Sequence, residues 1–227
     1  MMTLAVDTSA LTASVAITDG EKILCELSFT TALTHSETLM PMIDFALSGT
    51  KLTCADIDVF AFAGGPGSFT GLRIGAATIK GLARGAGKPI VGVSTLEALA
   101  YNVMRDGFTI APIMDARRGE VYCALYRFNN GSIECLRQPD ATALEMFVRD
   151  IDGEAIFVGD AVDVYKNRIS SLLDKRAIFA PQNSLLQRAS SVAMAATGKK
   201  PLEDAQLVYL RKSQAEREYA FKETNLK

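Results

Sequence analysis

The sequence predicts an α/β fold built from two similar lobes. Strand-like runs alternate with helical segments of about 10–15 residues, which is typical of parallel βαβ units. Each half of the chain opens with a strand, an aspartate, a second strand, an Asn/Asp-Gly turn and a third strand; the aspartates are Asp7 and Asp115. This internal repeat predicts an N-terminal lobe at 1–105 and a smaller C-terminal lobe at 106–227. We expect the C-terminal tail to pack back on the first lobe.

The composition is that of an ordinary globular protein. The 227 residues are 48% hydrophobic and 22% charged, and the formal net charge is −2. This balance argues against the chain holding nucleic acid alone, because phosphate contacts need clustered Lys and Arg. No apolar run reaches the ~18 residues of a membrane span, and the N-terminus lacks the features of a signal peptide. The four cysteines show no CxxC spacing. We therefore expect a cytoplasmic protein with reduced thiols.

Local signals define the elements of the first half. Asp19-Gly20 predicts a hairpin turn, and Thr34-His-Ser-Glu37 is a capping box that starts a helix. Apolar residues recur along that helix at positions 39, 42, 43, 46 and 47, which predicts a core-facing side. The predicted strands lie at 3–9, 13–18, 22–29, 57–63 and 90–93, and the helices at 34–47, 68–85 and 94–106.

The second half repeats this pattern with shorter elements. Asn129-Asn130-Gly131 predicts a turn, and Thr142-Ala-Leu-Glu145 predicts a helix start. Strands are expected at 109–114, 121–128, 132–136, 155–158 and 177–180, with helices after 142, after 160 and over 184–197. A charged segment at 212–227 follows Val208-Tyr-Leu-Arg211, and we expect it to be frayed.

Three glycines dominate the helix that follows the strand at 57–63. Gly67, Gly71 and Gly75 are spaced four apart, so they share one helix face. Each interior glycine costs roughly 1 kcal/mol relative to alanine, which indicates that something approaches the backbone closely. The run is neither GxxxxGK[ST] nor GxGxxG, which disfavours a bound phosphate as the group that approaches the backbone. Another helix is the favoured neighbour, with packing against the lobe's own sheet as the alternative.

The duplicated unit resembles the actin, Hsp70 and sugar-kinase fold (ASKHA, ribonuclease H-like). In that fold an acidic residue after the first strand of each half faces the phosphates and metal of a nucleotide held between the lobes. Asp7 and Asp115 stand at those positions. Weak ATP or ADP binding at Asp7, Thr8, Ser9 and Asp115 is therefore one alternative, and an ASKHA-type small-molecule kinase is its catalytic form.

Five motifs in register narrow the resemblance to one family. They are Leu4-Ala-Val-Asp-Thr-Ser9, the run from Gly64 to Gly75, Gly92-Val-Ser-Thr-Leu96, Met114-Asp-Ala-Arg-Arg-Gly-Glu-Val-Tyr122 and Val208-Tyr-Leu-Arg211. Over residues 2 to about 211 the chain resembles the bacterial TsaB family, formerly called YeaZ.

The resemblance implies an accessory role in tRNA modification. TsaB proteins are non-catalytic paralogues of TsaD, which transfers a threonylcarbamoyl group to N6 of adenosine 37 in tRNAs reading codons that begin with A. The resemblance implies a heterodimer with TsaD, a ternary complex with TsaE, a functional link to TsaC and contact with tRNA only through the complex. It also implies a homodimer when the chain is alone, and no required cofactor.

Both the residues and the resemblance point to the two long helices as the partner interface. Each helix carries apolar residues beyond a single face, and the family is expected to pair through a helical bundle. The predicted interface comprises His35, Leu39, Met42, Phe45, Phe69, Leu72, Arg73, Gly75, Ala76, Ile79 and Lys80.

The residue inventory disfavours the older peptidase label of this family. The catalytic paralogue carries a His-x-x-x-His metal pair, and the matching positions here are Thr95 and Leu99. His35 is the single histidine of the chain, so a histidine-based metal centre is excluded and no metal site is predicted. The segment Asp115–Tyr122 has two readings, a charged β-turn or a cleft-lining loop that contacts nucleotide or the partner.

Overall fold

Two five-stranded sheets, each carrying helices, form the two lobes of the molecule. The structure is a computed structural model, and it describes residues 1–31, 33–117, 119–201 and 206–211. Both sheets have the same order and directions. In each, three consecutive antiparallel strands are followed by two strands parallel to the first. The internal repeat predicted from the sequence is therefore present in the structure as two sheets with the same strand order and directions.

The first sheet has the order β3-β2-β1-β4-β5. β1 pairs with β2 antiparallel and with β4 parallel, so β1 is the central strand. The elements of this lobe are β1 Met2–Asp7, β2 Thr12–Asp19, β3 Lys22–Thr30, α1 His35–Thr50, β4 Val59–Ala63, α2 Phe69–Ala86, β5 Ile90–Val93 and α3 Thr95–Tyr101.

The second sheet has the order β10-β9-β6-β7-β8, so β6 occupies the central position that β1 has in the first sheet. The elements of this half are β6 Thr109–Arg117, β7 Glu120–Asn129, β8 Ser132–Ala143, α4 Leu144–Arg149, β9 Ala155–Val158, α5 Ala161–Leu173, β10 Ala177–Phe179 and α6 Ala189–Ala196.

Local signals set the ends of the two long helices. At the start of α1, the Thr34 backbone N–H and hydroxyl both donate to the Glu37 carboxylate, at 2.9 and 2.7 Å, as the capping box predicts. At the start of α2, the Ser68 hydroxyl accepts from the Gly71 N–H. Gly87 ends α2 in the left-handed region, with φ +67°, where glycine is favoured because it has no Cβ.

Helices cover both faces of the first sheet. α1 and α2 pack on one face over large side chains such as Phe60 and Phe62. The other face is lined by small residues, including Ala5 and Ala61, and α6 lies on it. α3 adds Ala98 to this cluster but packs mainly on β6 and β7 of the second lobe. A helix of the second half thus completes the first lobe.

Polar contacts fix α6 against the first sheet. The Arg188 guanidinium pairs with the Glu26 carboxylate, and the Ser190 N–H donates to the same carboxylate at 2.9 Å. The Ala189 N–H donates to the Ser14 hydroxyl at 3.0 Å. These groups cap the N-terminus of α6 from strands β2 and β3, because the helix lacks a capping side chain of its own.

The structure corrects several predicted boundaries. The helix expected over 184–197 begins only at Ala189. β8 continues to Ala143 instead of ending at 136, since Thr142 pairs with Val121 and does not cap α4. Cross-strand pairing outweighs the local capping signal there. All four cysteines are free. Within the described ranges, no helix is both long and apolar enough to cross a membrane. The predicted frayed tail at 212–227 lies outside the described residues.

Candidate functional site

A cleft of about 610 Å³ separates the two lobes. Its first wall comes from the β1–β2 turn and the N-terminus of α2, and its second wall comes from the ends of β6 and β9. Carboxyl ends of central strands meet here, which is where open α/β sheets usually bind ligands. Lining residues include Ser9, His35, Asp115, Asp160 and Arg211.

Asp7 lies beneath the cleft and faces its own turn. The side chain is 1% exposed, and one oxygen, Oδ1, accepts from both the N–H and the hydroxyl of Ser9, at 2.8 and 2.6 Å. Burial raises the pKa of Asp7 to about 6, against the lowering effect of the Ser9 hydrogen bonds. Thr8 is also buried, and its hydroxyl donates to the Gly71 carbonyl at 2.8 Å. Of the predicted nucleotide-binding residues in the first lobe, only Ser9 lines the cleft.

The second lobe contributes two carboxyl groups. Asp115 is exposed, lines the cleft and accepts from the Arg117 N–H at 2.7 Å. Asp160 lies nearby, and one of its carboxyl oxygens is buried without a hydrogen-bond partner. Burial raises the pKa of Asp160 to about 6, and the Asp115 charge adds to this shift. Sequence reasoning did not place Asp160 in the site. Its signal was Gly159-Asp160, which follows β9 as Gly64-Gly65 follows β4.

The described residues do not assemble a metal centre. No group of three or more His, Cys, Asp or Glu side chains comes together within the described ranges. The Nε2 atom of His35 lies 2.8 Å from the Ala10 carbonyl oxygen. Since a carbonyl only accepts, this nitrogen carries a proton and is not free to act as a base or metal ligand.

The glycine face of α2 packs against the β1–β2 turn of its own lobe. A Cβ on Gly71 would overlap the Thr8 carbonyl oxygen, and one on Gly75 would overlap the Thr8 hydroxyl. A Cβ on Gly67 would similarly overlap the Ser9 carbonyl. The close approach predicted from the spacing is present. The sequence favoured another helix as the neighbour, whereas the structure places this turn against the glycines, and Gly75 is buried.

Other predicted interface residues also belong to the lobe's core. Leu72 is 0% exposed, because α2 turns this side toward the sheet. The same holds for the apolar stripe of α1, so these positions are covered by the lobe's own core. The buried residues are Leu39, Met42, Leu72, Ala76 and Ile79.

The remaining predicted residues lie at the surface. Phe45 is 66% exposed on α1, and Arg73 is exposed on α2. His35, Phe69 and Lys80 are half-buried. The outer sides of the two helices hold further residues that the predicted interface omitted. They are Met40 and Pro41 on α1, and Ala77, Gly81 and Arg84 on α2.

The duplicated sheets and the inter-lobe cleft define a protein of the actin, Hsp70 and sugar-kinase fold class. Among solved structures, the ethanolamine utilization protein EutJ from Carboxydothermus hydrogenoformans superposes with a TM-score of 0.53 at 12% identity, covering 86% of this chain and 90% of that one. YeaZ from Pseudomonas aeruginosa superposes with a TM-score of 0.80 at 27% identity, covering 92% and 99%.

Sequence comparison identifies the family within this class. A family model described as "TsaD: tRNA N6-adenosine threonylcarbamoyltransferase" matches residues 29–219. The "tRNA threonylcarbamoyladenosine biosynthesis protein TsaB" of Bacillus subtilis is 34% identical over 95% of this chain and 96% of its own length. That of Escherichia coli is also 34% identical, with the same coverage. The chain belongs to the TsaB family.

Proposed function

We propose that this chain is a non-catalytic subunit of the complex that forms N6-threonylcarbamoyladenosine at position 37 of tRNAs reading codons that begin with A. In this role it binds and stabilises TsaD and supports recruitment of TsaE, while TsaC acts in the same pathway. The observation that carries the proposal is the match, over nearly the full length of both chains, to proteins named for threonylcarbamoyladenosine biosynthesis.

The non-catalytic assignment is supported by the chemistry of the site. The single histidine of the sequence is engaged with the Ala10 carbonyl. The described ranges hold no cluster of metal-binding side chains. The Asp7 carboxylate accepts hydrogen bonds from the N–H and the hydroxyl of Ser9, which belongs to the same turn. No cofactor is required in this proposal, and the chain acts in the cytoplasm, meeting tRNA only through the assembled complex.

The outer sides of α1 and α2 are the surface we propose for TsaD. Met40, Pro41 and Phe45 expose apolar side chains on α1. On α2, Ala77 and Gly81 are exposed and four residues apart, and a Cβ on Gly81 would meet no atom within 4 Å. Small residues let a second helix approach closely while large neighbours fill the seam. A stable interface needs roughly 1,000 Å² or more of buried surface. Because the two paralogues share the fold, a homodimer is expected when TsaD is absent.

Reconstitution tests the function directly. Unmodified tRNA is incubated with TsaC, TsaD, TsaE and the substrates of the reaction, with and without this chain, and modified adenosine is quantified by mass spectrometry of nucleosides. We expect modification to depend on the chain, and the isolated chain to show no turnover. Equal modification without the chain would refute the proposal.

A second candidate is nucleotide binding in the cleft, including the kinase alternative that uses Asp7 and Asp115. The specific observation in its favour is that Ser9 from one lobe and Asp115 and Asp160 from the other line the same cleft. Isothermal titration of the isolated chain with MgATP or MgADP tests it, and ATP consumption tests the kinase form. Heat of binding that disappears in Asp160→Asn would support this candidate, and no heat at millimolar nucleotide would exclude it.

A further inference from the structure

We propose that residues 206–211 form a strap that ties the two lobes together across the cleft and holds them at a fixed angle. The segment includes the motif Val208-Tyr-Leu-Arg211, and residues 208–211 line the cleft. Residues 207–209 contact the first lobe and form the first-lobe end. Arg211 contacts the second lobe and forms the second-lobe end. The inference stands apart from the proposed function, because it concerns the isolated chain.

The glycine loop after β4 holds the first-lobe end. The Val208 N–H donates to the Gly64 carbonyl at 2.8 Å. A Cβ on Gly65 would overlap the Val208 carbonyl oxygen, and one on Gly64 would lie 3.3 Å from the Gln206 carbonyl oxygen. Side chains on these glycines would therefore displace the strap. Leu207 packs against the first lobe's core.

Tyr209 attaches the strap to the N-terminus of α2. Its ring centroid lies 4.8 Å from that of Phe69, and its hydroxyl accepts from the Arg73 Nε–H at 3.2 Å. The Arg73 guanidinium carbon lies 3.9 Å from the Phe69 ring centroid. The strap thus extends an aromatic and cationic cluster on the first turn of α2.

Arg211 forms the second-lobe end. Its guanidinium donates to the Ala116 and Arg117 carbonyl oxygens and pairs with the Glu120 carboxylate at 2.8 Å. These three acceptors flank the tip of the β6–β7 hairpin, where Arg117 adopts a left-handed φ of +64°. The fork of a guanidinium can hold several acceptors in fixed relative positions. One side chain therefore fastens both sides of the hairpin tip.

A separate connection lies on the α3–α6 side of the molecule. The Asn102 amide donates to the Ser184 and Leu186 carbonyls, at 3.0 and 2.7 Å, and accepts from the Ser191 hydroxyl at 2.7 Å. On this side α3 also packs Leu96, Leu99 and Ala100 into the second lobe's core. The strap adds a second attachment at the cleft, and two separate attachments restrict a change of the angle between the lobes more than one does.

Hydrogen exchange on the full-length chain tests the strap through a cross-lobe effect. Tyr209→Ala weakens the first-lobe end by removing the contacts with Phe69 and Arg73, and Arg211→Met removes the side-chain contacts of the second-lobe end. Tyr209→Ala is expected to raise amide exchange in the hairpin segment 115–121 about tenfold, and Arg211→Met to do the same in 66–73. Arg176→Met is the matched control, because Arg176 donates to the Ile151 carbonyl within the second lobe.

The cross-lobe pattern decides the outcome, and circular dichroism confirms that each variant is folded. Faster exchange in the lobe that the mutated side chain does not contact supports the strap, provided Arg176→Met leaves 66–73 unchanged. An increase confined to the contacted lobe, no increase at all, or an equal effect of Arg176→Met would overturn it.

Discussion

The two lobes share one sheet topology and differ in their helices. Between the third and fourth strands of each sheet, the first lobe has the 16-residue α1 and the second has the 6-residue α4. After the fourth strand, the first lobe has the 18-residue α2 and the second has the 13-residue α5. The duplication thus preserved the sheets, while the helices that cover them diverged. The longer helices give the first lobe the outer surface that we propose for TsaD.

The aspartates that follow the central strands also differ between the two lobes. Asp7 is buried and bonded to its own turn, whereas Asp115 is exposed in the cleft. Equivalent positions in a repeat therefore do not have equivalent environments. The predictions below test this difference between the lobes and the division of α1 and α2 into a buried and an exposed side.

The largest expected effect is on the buried side of α2. Leu72→Ala should lower the free energy of unfolding by about 2–5 kcal/mol, because it leaves a cavity in the first lobe's core. Phe45→Ala, on the exposed side of α1, should change it by less than about 0.5 kcal/mol. Urea denaturation measures both. If Leu72→Ala kept full stability and weakened only TsaD binding, the buried side would be the interface.

The next effect concerns the pH dependence of stability. The fold raises the pKa of Asp7 from 3.8 to about 6, so the folded state binds the proton more tightly than the unfolded chain. The stability that the protonated Asp7 contributes is complete below about pH 4 and is lost as the pH rises through 6. Asp7→Asn stays neutral and can keep both Ser9 hydrogen bonds on Oδ1. It should therefore stabilise the protein by up to about 3 kcal/mol at pH 7.5 and have little effect at pH 4.

The matched control for this test comes from the second lobe. Asp115→Asn should change stability less than Asp7→Asn does at pH 7.5, because its side chain is exposed and the loss of its charge is felt mainly at Asp160. Denaturation at pH 4 and 7.5 measures all three proteins. Asp160 contributes pH dependence in the same window, so some slope persists in Asp7→Asn. Equal slopes in wild type and Asp7→Asn would contradict the buried environment of Asp7.

A third prediction separates two glycines of α2. Gly71→Ala should destabilise the protein by about 1–3 kcal/mol, because its Cβ would overlap the Thr8 carbonyl. Gly81→Ala should stabilise it by up to about 1 kcal/mol, since Gly81 has open space around it and alanine favours a helix. Thermal unfolding gives both values. Similar shifts of one sign would show that the glycine face does not pack on the turn.

The smallest effect concerns the C-terminal ends of the same two helices. α2 ends at Gly87, whereas α1 ends at Lys51 in the same left-handed region, with φ +57°. Lys51→Gly should stabilise the protein by about 0.5–1 kcal/mol, because the Cβ penalty is removed. A loss of stability in the thermal melt would mean that Lys51 makes contacts that outweigh this strain.

Local sequence signals predicted most of the fold. The strands, the capping box at Thr34 and the duplicated topology follow from residue patterns over short windows, and the structure confirms them. The boundaries at Ala189 and Ala143 did not follow. They depend on pairing and packing with residues far away in the chain, which no local pattern records.

The site was less predictable for the same reason. Glycine spacing indicated that something approaches α2 closely, but the spacing is the same whether the neighbour is a partner helix or the Thr8 carbonyl. Likewise, an apolar residue such as Leu72 is equally suited to a core and to an interface. Asp160 carried only a weak signal, because a single Gly-Asp pair after a strand is common.

Affinity for TsaD is the most direct test of the central claim, that the outer sides of α1 and α2 form a partner surface. Isothermal titration compares wild type with Phe45→Glu and with Val164→Glu, a control at an equally exposed apolar residue, 69% exposed, on α5 of the second lobe. We predict that Phe45→Glu weakens binding at least tenfold, with unfolding unchanged, while Val164→Glu binds as wild type does. Unchanged affinity of the folded Phe45→Glu variant for TsaD would contradict the account.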